Sequence, residues 1–106
     1  MNLRTLTALA VLLLPSVGVA DEYVITQKDK AFSQDKIRLH RNESIRFLNQ
    51  DPFAHNVYSR SDIADFNVKL QEPGATDTVK FDKPGTATVR CAIHPGMKLT
   101  VEVVDK

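Results

Sequence analysis

Apolar and polar residues alternate with a period of two along most of the chain from Tyr23 onward. Ile37 and Leu39 alternate with Lys36, Arg38 and His40, and Ile45 and Phe47 with Ser44 and Arg46. Phe66, Val68 and Leu70 alternate with Asn67 and Lys69, and Val79 and Phe81 with Thr78 and Lys80. Successive side chains of a strand point to opposite faces, so each run predicts a strand with one face on a core and one in water. Turn-forming residues separate the runs: Arg41-Asn42, Gln50-Asp51-Pro52, Glu72-Pro73-Gly74 and Lys83-Pro84-Gly85. Residues 23–27 and 57–59 read as further strands, and residues 61–65 as one turn of helix. About eight strands at this spacing predict an all-β fold, an antiparallel or mixed β-sandwich. There is no linker or repeat, so residues 21–106 read as one compact domain.

The first twenty residues follow a different pattern. Arg4 supplies a positive charge, Leu6 to Leu14 form a short apolar stretch, and Gly18-Val19-Ala20 offers small residues before a cut at Asp21. This is the layout of a secretory signal peptide over residues 1–20. Its apolar stretch is too short for stable membrane insertion. Cleavage after Ala20 places the rest in the periplasm of a bacterial cell.

Charge then excludes several function classes. The full chain has 14 Lys plus Arg and 13 Asp plus Glu. Loss of Arg4 with the leader makes the mature chain formally neutral, with its charges spread along the strands. No basic patch suits nucleic acid, and no acidic tail suits a charged partner. A small exported monomer of this size gains from a staple, and one cysteine cannot supply an internal disulfide. The candidates are then an intermolecular disulfide, a buried inert thiol, or a metal-bound thiolate.

The last two strands decide among these. In residues 86–91 the inward set is Ala87, Val89 and Cys91; in residues 98–103 it is Leu99, Val101 and Val103. Between them Ala92 to Met97 forms a hairpin loop tightened by Pro95-Gly96. Cys91, His94 and Met97 therefore emerge at one end of the sandwich. Each has a bland alternative: a small buried hydrophobe, a solvated loop residue, and core filler. Together they are a thiolate, an imidazole and a thioether within seven residues, and after leader cleavage they hold the only two sulfurs. A second imidazole, His55 in the run Pro52-Phe53-Ala54-His55-Asn56-Val57, would come from another strand. A His₂Cys plane with a weak thioether is the donor set of a copper electron-transfer site. Zinc fits less well, because methionine is a poor zinc ligand and no CxxC is present; c-type haem would need CxxCH. His40 shares the outward face with Lys36 and Arg38 and reads as a surface residue.

The C-x₂-H-x₂-M run at Cys91, His94 and Met97 resembles that of the amicyanin-type cupredoxins, within the plastocyanin/azurin family. The segment Asn49-Gln50-Asp51-Pro52-Phe53-Ala54-His55-Asn56-Val57 resembles the family's N-x-D-x₃-H-N-V run around its first histidine. The resemblance spans residues 21–106. It implies a Greek-key sandwich and one type 1 (blue) copper, with His55, Cys91 and His94 equatorial and Met97 axial. It also implies that Asn56 gives its backbone N–H to the thiolate. Val89 replaces an aromatic residue common in relatives, and Asn42 replaces a turn glycine; neither is a ligand. Pro95 has no N–H to offer the sulfur, so Cys91 Sγ is expected to accept few hydrogen bonds.

The function expected is single-electron shuttling between redox proteins, not enzymatic catalysis. Pro52, Phe53, Ala54, Pro95 and Gly96 would form an apolar docking rim around His94. The resemblance implies an amine dehydrogenase as donor and a c-type cytochrome as acceptor. The alternative is a copper-tolerance protein that buffers or carries the metal, although such carriers usually hold spare methionines or histidines. Multicopper catalysis would need more histidines than the three present.

Overall fold

A computed structural model of the chain describes residues 22–105. The expected leader therefore lies outside the described residues. Among those described there are nine strands and no helix: β1 (Glu22–Lys28), β2 (Ala31–Phe32), β3 (Lys36–His40), β4 (Ser44–Asn49), β5 (Tyr58–Ser61), β6 (Ala64–Asn67), β7 (Thr76–Lys80), β8 (Gly85–Arg90) and β9 (Lys98–Val104). They form two sheets, ordered β2-β1-β4-β7 and β3-β9-β8-β5-β6. β1 runs parallel to β4, and β3 parallel to β9; the other neighbours are antiparallel. No helix among the described residues is long and apolar enough to cross a membrane.

The period-two runs bury the faces the alternation predicts. Ile37, Leu39, Ile45, Phe47, Phe81, Ala87, Val89, Cys91, Leu99, Val101 and Val103 all lie in one core. Two aromatic pairs meet edge-on within it, Phe32 with Phe47 and Phe66 with Phe81, each at 6.1 Å between ring centroids. Burial of these apolar faces is the main force holding the two sheets together.

Two expectations fail, each for a local reason. Residues 61–65 form no helical turn: Ser61 pairs with Ala64, so Asp62-Ile63 is the tight turn of a β5–β6 hairpin. Thr88 also donates its N–H to Ser61 Oγ at 2.9 Å, tying that turn to β8. The alternation from Phe66 breaks as well. β6 ends at Asn67, Lys69 takes a left-handed φ of 69°, and Leu70 turns outward to 61% exposure.

The fold brings two distant segments to one end of the sandwich. Gln27 and Asn49 are partners at the ends of β1 and β4, where the chain leaves for the His55 loop. Arg90 and Lys98 are the last pair of the β8–β9 hairpin, with Cys91 to Met97 between them. Leu99 is fully buried and pairs with Val89, directly below that loop. Leu99→Ala should cost the metal-free protein about 2–5 kcal/mol in urea unfolding. A loss well under 1 kcal/mol would show that this end of the core is not closely packed.

Candidate metal centre

His55, Cys91 and His94 come together at the end of the sandwich. His55 is placed by a two-way backbone bridge to Gln71: its N–H donates to Gln71 O at 2.9 Å, and Gln71 N–H returns to His55 O at 2.8 Å. Cys91 follows the last residue of β8 with its side chain buried, as its inward register dictates. His94 lies in the loop beyond, where Met97 N–H closes a turn onto His94 O at 3.0 Å. Met97, buried to 2% exposure, ends that loop at the start of β9.

The three donor atoms form a triangle. Cys91 Sγ lies 3.8 Å from His55 Nδ1 and 4.0 Å from His94 Nδ1, and the two nitrogens are 3.1 Å apart. A point in the plane of that triangle and equidistant from its corners is about 2.1 Å from each. Imidazole and thiolate bonds to first-row metals are about 2.0–2.3 Å. The triangle therefore fits one ion. A single soft thiolate with two imidazoles, on a loop whose far end carries the buried Met97, suits copper better than zinc.

Asn56 joins the two ligand segments. Its backbone N–H donates to Cys91 Sγ at 3.3 Å, and its side-chain Oδ1 accepts the N–H of Ala92 at 3.0 Å. Its Nδ2 donates to Asn67 Oδ1 and to Lys69 O, both at 2.9 Å. Pro95, exposed in the loop, offers only its carbonyl, 3.5 Å from an Arg90 guanidinium nitrogen. His40 stands at the surface, 56% exposed, with Glu43 3.7 Å away.

The sequence reading missed the role of Asp51. Its Oδ2 lies 2.6 Å from His55 Nε2, and both side chains are buried. Asp29 and Lys30 donate their backbone N–H groups to its two oxygens at 2.7 and 3.0 Å. Burial would raise the pKa of this carboxyl from its ordinary 3.8; the hydrogen bonds from His55, Lys30 and Asp29 outweigh that and lower it to about 2. An ionised carboxylate only accepts, so the proton between them sits on His55 Nε2. The Nδ1 lone pair is then free to face Cys91 and His94. A carboxylate behind a ligating histidine fixes its tautomer and raises its basicity. The signal was present as Asp51 four residues before His55, but a spacing shows no direction. Asn49 supports the same loop, donating Nδ2 to Phe53 O and Gln71 O while its Oδ1 accepts Asp51 N–H.

His94 is the more open ligand. Burial of its ring, then the neighbouring His55 and the Lys30 cation, hold its pKa below the ordinary imidazole value. The Phe53 ring meets both imidazoles edge-on or tilted, at 5.4 Å from His55 and 5.5 Å from His94.

A sequence profile of copper binding proteins, the plastocyanin/azurin family, matches residues 19–104. The chain belongs to that family. It is 32% identical to plastocyanin of Ginkgo biloba over 66% of its own length and 82% of the relative's. It is 27% identical to the methylamine utilization protein MauL of Methylorubrum extorquens, covering 98% of this chain and 95% of that one. Among solved structures, a Cu(I) amicyanin variant shares the fold with a TM-score of 0.71 at 17% identity, covering 76% of this chain and 80% of its own. A copper-containing nitrite reductase from Thermus scotoductus has a TM-score of 0.76 at 19% identity over 92% of this chain, which spans only 25% of that enzyme. The cupredoxin sandwich expected from the sequence is therefore the fold observed, and copper is the metal of the family.

Asp51→Asn should keep the hydrogen-bonding shape but remove the charge behind His55. Copper(II) affinity should fall about 10- to 100-fold, and the reduction potential should rise. Because Asp51 has a lowered pKa, its stabilisation of the metal-free protein is full above about pH 4 and is lost as pH falls toward about 2. Acid unfolding followed by circular dichroism should show that dependence in the parent chain and a weaker one in Asp51→Asn. Equal copper affinities for the two proteins would remove Asp51 from the site.

Proposed function

We propose that this protein is an exported type 1 copper electron carrier of the periplasm, cleaved after Ala20 and working as a monomer. The donor triangle carries the reading: His55 Nδ1, Cys91 Sγ and His94 Nδ1 at the end of a family-typical sandwich. Those three residues, with Met97 as a fourth and weaker donor, would hold the copper. Copper supplies the single-electron Cu(I)/Cu(II) couple.

The surrounding residues determine how well the couple works. The Asn56 N–H and its two-way clamp keep Sγ and the His55 loop in one arrangement. Asp51 would keep His55 Nδ1 aimed into the donor triangle. A site that changes shape little between states has little to reorganise when an electron moves. The buried thiol is protected from the oxidation that threatens a lone cysteine in an exported protein.

Electrons would enter and leave beside His94, the least buried of the three ligands. Pro52, Phe53, Pro95 and Gly96 are exposed around it and Ala54 half-buried, giving a mainly apolar rim suited to brief contacts. The likeness to a methylamine utilization protein supports an amine-oxidising dehydrogenase as donor, with a c-type cytochrome as acceptor. One compact group of metal donors among the described residues suits a shuttle of electrons rather than a store of copper.

Residues 21–106 loaded with Cu(II) should show an intense visible band from thiolate-to-copper charge transfer and the small hyperfine splitting of a type 1 centre in EPR. Cys91→Ser should lose the band altogether, while Met97→Ala should keep it and shift the potential. A weak d–d spectrum from the parent protein would refute the type 1 site.

A further inference from the structure

Among the described residues, three of the four left-handed non-glycine positions lie at the metal end, and two of those are lysines. Four non-glycine residues among those described have left-handed φ: Asp29 (54°), Lys30 (59°), Asn42 (76°) and Lys69 (69°). Asparagine and aspartate visit this region with local help from their own short side chains. A lysine has no such help and is strained there. Glycine or asparagine would make either turn more cheaply. A strained residue held in place points to a use for its side chain.

Both lysines are held by residues next to the ligands. Lys30 gives its N–H to Asp51 Oδ2 at 3.0 Å. Lys69 gives its N–H to Asn67 Oδ1 at 2.7 Å, and its carbonyl accepts from Asn56 Nδ2 at 2.9 Å. Both side chains are exposed, and neither lysine forms an ion pair among the described residues. Lys30 Nζ lies 5.8 Å from the centroid of the Phe53 ring, which itself meets both histidine rings. Lys69 precedes Leu70, 61% exposed, and Ile93 beside His94 is 46% exposed. The exposed acids on these loops are Asp29 and Glu72, while Lys28 and Lys98 add two exposed cations at the adjoining strand ends. The remaining acid, Asp51, is buried and already committed to His55.

We propose that this end of the sandwich docks an electron-transfer protein bearing carboxylates around its redox group, with Lys30 and Lys69 capturing those carboxylates and Phe53, Leu70 and Ile93 forming the dry contact. The proposal rests on the electron-carrier reading above and adds the charge of the partner. Exposed rim charges act chiefly on the association rate and its salt dependence. Apolar contact then brings the partner against the edge of His94.

A basic cytochrome c and the same protein with its lysines fully succinylated offer one redox group with opposite surface charge. Stopped-flow electron transfer with the copper-loaded protein should be about tenfold faster for the succinylated form at low ionic strength, and should slow as salt is added. Lys30→Gln with Lys69→Gln should remove most of that advantage, whereas Lys80→Gln, exposed on β7, should leave it. Amide shifts of the Cu(I) protein, or of the copper-free protein if loading fails, should move at residues 30, 53, 69, 70 and 93 with the succinylated form. Faster reaction with the basic form, or a double variant no different from Lys80→Gln, overturns the proposal. Shifts at those residues without electron transfer would leave the docking face standing and count against the electron-carrier reading.

Discussion

Two segments 36 residues apart in sequence have to meet within 4 Å, and the side chain of Asn56 is where they are joined. Asn56 reaches Cys91 Sγ and Ala92 N–H on one side, and Asn67 and Lys69 on the other. That junction gives the contact between the His55 loop and the β8–β9 loop a fixed direction, which apolar packing alone does not supply. Hydrogen bonds in a buried setting do have direction, and leaving one partner unmade there is costly. The donor triangle is therefore a property of the folded polypeptide, since its atoms already stand where an ion would need them.

Behind this junction lies a second one, from His55 Nε2 through Asp51 to the turn at Asp29-Lys30. It links the first hairpin of the chain to a ligand without crossing the hydrophobic core. The charge of Asp51 faces away from the metal, so its influence reaches the centre through an imidazole ring. One hairpin thus supports both His55 and, through the exposed Lys30 side chain, the surface proposed for docking. A change in that turn would therefore reach both the His55 ring and the proposed docking face.

Much of this was legible in the sequence, for identifiable reasons. Strands with one buried face repeat with period two, so the inward placement of Cys91, Leu99 and Phe47 could be counted off. The ligand run is local, and seven residues hold three donors. What could not be counted was direction. The spacing of Asp51 and His55 does not say that the carboxylate reaches the far nitrogen of the ring, and Asn49 and Gln71 act through backbone contacts that leave no pattern. Leu70 was misplaced because a single left-handed residue, Lys69, reverses the face that alternation assigns. The short turn at Asp62-Ile63 reads as helix in the sequence because a mixed run of five residues, Ser61 to Asp65, suits either form.

The parallel pairing of β3 with β9 has a consequence for the order in which the protein matures. Residues 36–40 align with residues 100–104, so the strand carrying the far side of the ligand loop is seated only when both ends of the domain are present. Contacts of such long sequence separation form late, because their loop-closure entropy must be met first. A chain without β9 carries His55, Cys91 and His94 but lacks the strand that closes the loop between them. Metal capture in this sense reports completed folding: the strand that joins the two ends of the domain also closes the loop that carries Cys91 and His94.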